Sequence, residues 1–278
     1  MQHLSTWLPG EWRPAATGLG LLLLAALSAR AQVAPLPNMA LLGPDPAATA
    51  YCGPRYPGGP DSLRATVRRG LRAASPALVG ELFLHLELDS AGRSRQAYFL
   101  PPPTGSPAIA LYLSPEAQSL AQQLVQHLLP WQLPSQPLGQ WYGPQGPGVT
   151  VALPFGSEPA TPARAYADEN PTFSVVPLLV YGSRKTVVPF NLLEFFYRQV
   201  QYPVEDLRSK RSGTVYAYFE VSETGTVEQR RIVGTVSPTL DAEVLRVLRR
   251  LPSALTPPRY HGQPTRVGYV LPMSFRSL

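Results

Sequence analysis

Four histidines, one cysteine and 18 acidic residues are the first places to look for acid–base, nucleophilic or metal chemistry in this chain. The histidines are His3, His85, His127 and His261. None stands at metal-ligand spacing from another histidine, from Cys52 or from a paired carboxylate. His85 falls on the polar side of a strand pattern and His261 in a Pro/Gly-rich loop, so both read as solvated imidazoles. Asp241 and Glu243 are two residues apart on a helical pattern and point in different directions. Their place at a helix start, where the backbone dipole favours negative charge, accounts for both. No Gly-x-Ser-x-Gly elbow, phosphate loop or dinucleotide fingerprint occurs. The expectation is a chain that is not an enzyme, with no catalytic residues, no metal and no small-molecule cofactor.

Residues able to bind another macromolecule have to be sought in the elements that would present them. Apolar residues make up 44% of the 278, enough for folded cores. Residues 1–31 read as a signal peptide. Arg13 precedes the apolar run Gly18–Ser28, and Ala29-Arg30-Ala31 is a small-x-small cleavage site. The run is shorter than the roughly 20 residues of a membrane span, and a retained inner-membrane anchor is the alternative. Residues 32–50 are a Pro/Ala-rich linker. The single Cys52 excludes a disulfide framework; it reads as a half-buried side chain, with an intermolecular disulfide as the alternative. The net charge of +6 is scattered in short pairs such as Arg68-Arg69 and Arg249-Arg250, and points to no nucleic-acid partner.

Two stretches align without a gap: Gly80-Glu-Leu-Phe-Leu-His-Leu-Glu-Leu-Asp-Ser-Ala-Gly92 and Gly213-Thr-Val-Tyr-Ala-Tyr-Phe-Glu-Val-Ser-Glu-Thr-Gly225. Each alternates with the period of a strand and ends in a glycine-bearing turn. The first is preceded by Leu63, Val67 and Leu71 at helical spacing, and the second by Leu192, Leu193, Phe195 and Phe196. Both hairpins lead to a Ser-Pro helix start, at Ser114-Pro115 and at Ser237-Pro238. Closing strands follow, Val149–Phe155 and Arg266–Phe275. The expected fold class is α+β: two tandem small domains, each an antiparallel three-stranded sheet with two helices packed on one face. They span residues 51–157 and 186–278, and residues 158–185 form a second linker. Tyr216 and Tyr218 lie opposite the core phase. They face a helix of the same unit, the other unit or a partner.

Gln201-Tyr202-Pro203, Gly213-x-Val215-x-x-x-Phe219-x-Val221, Gly225, Leu240-Asp241-x-Glu243, Pro252, Gly262-x-Pro264 and Val270-Leu271-Pro272-x-x-Phe275 form one ordered set. In these residues the second unit resembles the TonB C-terminal domain, the periplasmic module of bacterial energy transducers. The first unit looks like a degenerate copy that keeps Pro130-Trp131 and Leu153-Pro154 but has Ala74-Ser75-Pro76 in place of Gln-Tyr-Pro. The second departs from the family where Ser253-Ala254-Leu255 precede Pro257, and upstream, where a folded unit replaces a long Pro-rich spacer. The resemblance implies a non-catalytic periplasmic protein that binds a partner peptide by β-strand addition, in energy transduction for outer-membrane transport. An exported envelope adaptor or scaffold with no energy role is the alternative. The implied partner is a peptide of an outer-membrane receptor or of another envelope protein. The implied contacts are Gln201, Tyr202, Pro203, Arg266, Val267, Gly268, Tyr269 and Val270.

Overall fold

The computed structural model describes residues 50–134, 148–157, 160–175, 188–190 and 192–276. The expected signal segment and almost all of the first linker lie outside them. In chain order the elements are α1 (Gly59–Gly70), β1 (Gly80–Leu88), β2 (Ser94–Phe99), α2 (Ala108–Leu113), α3 (Pro115–His127) and β3 (Gly148–Phe155). Then come β4 (Phe173–Val175), β5 (Val188–Phe190), α4 (Leu192–Gln199), α5 (Val204–Arg208), β6 (Gly213–Val221), β7 (Val227–Gly234) and α6 (Pro238–Arg249). The chain closes with β8 (Arg259–Tyr260), β9 (Gln263–Pro264) and β10 (Val267–Phe275). The fold is α+β, with two three-stranded antiparallel sheets ordered β2-β1-β3 and β10-β6-β7.

The two sheets agree in detail. Gly80 lies opposite Phe155 in the first, and Gly213 lies opposite Phe275 in the second. In the first hairpin turn Gly92 N–H donates to Asp89 O, and in the second Gly225 N–H donates to Ser222 O, both at 2.9 Å. Each turn glycine then accepts from the chain beyond its helix, Gly92 from Trp131 N–H and Gly225 from Ala254 N–H, both at 2.7 Å. Their φ values of 74° and 83° require glycine, and a Cβ would also run into the Trp131 or Ala254 carbonyl oxygen. Each crossing helix starts on its serine: Ser114 accepts from Ala117 N–H and Ser237 from Leu240 N–H. One likeness expected from sequence is out of register. Leu153 lies opposite Leu82, whereas Leu271 lies opposite Ala217, two residues further along the strand.

Leu82, Leu84, Leu86 and Leu88 bury one face of β1 in a core with Leu63 and Val67 of α1 and Leu120 and Leu124 of α3. Val215, Ala217, Phe219 and Val221 do the same in β6 with Leu240, Val244 and Leu248 of α6. The other face of each sheet covers the other sheet. Phe83, Leu100, Tyr218, Val233 and Val270 form a second core between them. Phe83 meets Tyr218 at 5.3 Å between ring centroids, and His85 meets Tyr216 at 6.4 Å. With Gly80 aligned on Gly213, Phe83 corresponds to Tyr216 and His85 to Tyr218. Each contact is therefore the counterpart of the other, the pattern of a two-fold axis. Of the three expected alternatives for the Tyr216/Tyr218 face, packing on the other unit is the one observed.

Burial on both faces corrects the reading of His85 as solvated. The residue is 5% exposed, and Nδ1 lies 3.0 Å from Thr150 Oγ1. Burial lowers its pKa to about 4. The stretch expected as a joining linker is also structured where it is described. Tyr166, Ala167, Asn170 and Phe173 are buried, and Tyr51 stacks on Tyr166 at 4.8 Å. This strap, residues 160–175, bonds to the chain before α1 through Tyr51 N–H to Asp168 O, and to the second unit through Arg259 and Thr256.

Candidate functional site

The strand expected to accept a partner is β10, which has β6 on one side. Among the described residues no named strand pairs with its other side, and an edge strand offers every second N–H and C=O to a further strand. The phase is set by two bonds: Gly268 N–H donates to Arg164 O, and Arg164 N–H donates to Arg266 O, both at 2.9 Å. Residues 266, 268, 270, 272 and 274 thus direct their backbone outward. Pro272 falls on this phase, so its missing N–H costs no ladder bond. Among the described residues, Val270 and Ser274 have no backbone partner on that side.

The eight expected contact residues separate into two groups. Tyr202 is buried, packs edge-on against Phe275 at 5.3 Å and donates its hydroxyl to Arg211 O. Gln201 is exposed, and its N–H donates to Glu243 Oε1 at 2.7 Å; Pro203 caps α5. These three therefore sit at the Phe275 end of β10. Val267 begins the strand, about 26 Å away for eight extended residue steps. The fold does not bring the two groups together.

Within the second group most side chains point inward. Val267 and Tyr269 are buried on the helix side, where Tyr269 stacks on Phe219 at 5.3 Å, and Val270 is buried between the sheets. Gly268 leaves room for the Tyr218 ring; a Cβ there would come within 2.6 Å of the hydroxyl oxygen. Arg266 binds Glu220 at 3.1 Å and Glu228 at 2.6 Å, with Glu223 at 3.7 Å. These carboxylates hold its guanidinium pKa up, hydrogen bonding to Glu228 being the largest cause. What these residues can offer a partner is backbone, with Arg266 already engaged by carboxylates of its own sheet.

The carboxylates considered for acid–base work are committed elsewhere. Asp241 accepts from the Thr235 hydroxyl, and burial raises its pKa. Glu243 is chelated by Arg246 at 2.7 Å; burial is the largest single effect on its pKa and would raise it, but the Arg246 and Gln201 N–H bonds with the nearby arginine charges together lower it. Among the described residues no group of three His, Cys, Asp or Glu could hold a metal ion, and no helix is long and apolar enough to cross a membrane.

The family comparison bears on this same sheet. Residues 198–277 match the family model described as Gram-negative bacterial TonB protein C-terminal. The match runs from the end of α4 through β10, and so covers the Gln201-Tyr202-Pro203 segment, the hairpin, α6 and the edge. No curated protein and no solved structure matches the chain.

Sequence reasoning missed the residues that meet the edge from outside it. Arg164 lies in a Pro/Ala-rich stretch with no periodicity, and Asp61 belongs to the other unit. Tyr166 and Ala167 are buried side by side, so no strand-like alternation announces this segment.

Proposed function

We propose that the chain is a TonB-like envelope protein that binds an extended peptide of an outer-membrane protein by strand addition to β10, as part of energy transduction for transport. The observation that carries this reading is the match of residues 198–277 to the TonB C-terminal family together with the outward backbone of Val270 and Ser274. Strand addition draws its affinity from main-chain bonds, so it suits an edge whose side chains are spent on the two cores. The periplasmic location and the cleaved leader belong to this proposal.

The shared strand order, register, turn bonds and helix caps support a further element of the reading, that residues 51–157 are a duplicated copy. The face-to-face packing then makes the chain a pseudo-dimer of two such units joined by the strap. An envelope adaptor without an energy role has the same edge, and only the partner distinguishes it.

The test is titration of the mature chain with short N-terminal peptides of outer-membrane receptors. Binding in the micromolar range, with the peptide amides protected from exchange, is expected. Receptor peptides that leave the β10 amides unchanged at millimolar concentration would overturn the reading.

A further inference from the structure

The edge is occupied at one end by the chain itself, and its occupant is held by more than backbone. Arg164 Nε and Nη2 bind the two oxygens of Asp61 at 3.1 and 3.0 Å, a bidentate pair. Arg164 Nη1 donates to Thr265 Oγ1, and the guanidinium lies 5.2 Å from the centroid of the Tyr260 ring. A planar fork facing a carboxylate and an aromatic face suits arginine, and lysine cannot reproduce it. The backbone of the same residue fills one unit of the edge through Gly268 and Arg266.

The rest of the strap shows where this hold is weakest. Residues 162–165 are half-buried and 160–161 exposed, while the adjoining Tyr166 and Ala167 are buried. Lifting residues 160–165 would leave the Tyr166 anchor in place. A cavity of about 140 Å³ runs beside them past Val270 and Phe83 to Leu63 and Val67. It offers apolar room to residues flanking the arginine.

We propose that Asp61, Tyr260, Thr265 and the Arg266–Gly268 backbone form a binding site for an extended peptide carrying an arginine flanked by small apolar residues, and that Arg164 occupies it as an internal competitor. This rests on the strand-addition reading and adds to it the side chain that the edge selects. The first unit supplies the carboxylate and the second the edge, so neither unit holds the site alone. An incoming peptide pairs with the free part of the edge at Val270, then displaces residues 160–165 and takes their arginine position.

The experiment uses the full chain, its Arg164→Ala variant and a labelled, end-capped peptide of residues 160–165 (Ala-Thr-Pro-Ala-Arg-Ala). The peptide is expected to bind Arg164→Ala about tenfold more tightly than the parent, because the competitor's bidentate pair is gone. Its version with lysine for arginine is expected to lose most of that affinity. Equal binding to both proteins, indifference to the lysine change, or no binding to a folded Arg164→Ala overturns the site. Amide exchange in the unaltered chain gives a second readout that needs no variant. Gly268 is expected to exchange at least about tenfold faster than Tyr269, through local opening of the strap. A Gly268 amide as slow as Tyr269 contradicts a displaceable strap. If the hexapeptide binds and receptor peptides do not, the site stands and the transport reading falls.

Discussion

Phe219 and His85 show what a strand pattern reveals at the scale of one residue and what it hides. The alternation around Phe219 places it on the core face, and its side chain is fully buried and stacked on Tyr269. Phe219→Ala is expected to cost about 3–5 kcal/mol, read as a drop in the denaturation midpoint; a loss under about 1 kcal/mol would contradict the packing. The same alternation places His85 on the opposite face, correctly, but period two says nothing of what covers that face. Here it is the second sheet. In the folded chain the His85 pKa of about 4 lies below its unfolded value, so the unfolded state binds more protons between roughly pH 6.5 and 4. The stabilisation is therefore complete above about pH 6.5 and declines as pH falls towards 4. His85→Gln is expected to flatten this part of the stability–pH curve by up to a few kcal/mol. An unchanged slope would place the proton uptake on other groups.

At the scale of elements, the hairpins, serine caps and turn glycines are legible in sequence because each is specified by neighbours a few residues away. Ser237, Gly225 and the Val215–Val221 alternation suffice to place the second unit's hairpin and helix. The strap is not legible for the opposite reason. Its partners, Asp61, Arg259 and Gly268, lie about a hundred residues away in either direction, and its own residues carry no period. The candidate edge is legible as a strand, but the burial of Val267, Tyr269 and Val270 along it depends on the helix side and on the other sheet, which the pattern does not show. Proline substitution separates the two sides of β10. Ser274 directs its N–H outward, so Ser274→Pro is expected to keep a cooperative melt and lose strand addition. Leu271→Pro removes an N–H from the ladder with β6 and is expected to unfold the unit. Circular dichroism melts and peptide titration check both, and the reverse order of effects would show that the outward phase is misassigned.

For the molecule as a whole, the two sheets cover each other with equivalent residues, so each unit is completed by the other. Whether one unit folds alone is decided by what it loses when the other sheet is removed. Residues 186–278 alone keep the packing of β6 on α6, but uncover Tyr216, Tyr218, Val233 and Val270. The fragment is expected to melt cooperatively below the full chain and to self-associate in sedimentation, since an exposed apolar face of this kind seeks a partner. A monomeric fragment as stable as the full chain would mean that the contact between sheets contributes nothing. Strand addition to the β10 edge is read out by amide exchange of the full chain with and without a bound receptor peptide. Val270 and Ser274 are expected to gain protection while Tyr269 and Leu271, already bonded to β6, do not change. A peptide that binds and leaves Val270 and Ser274 as they were would contradict it.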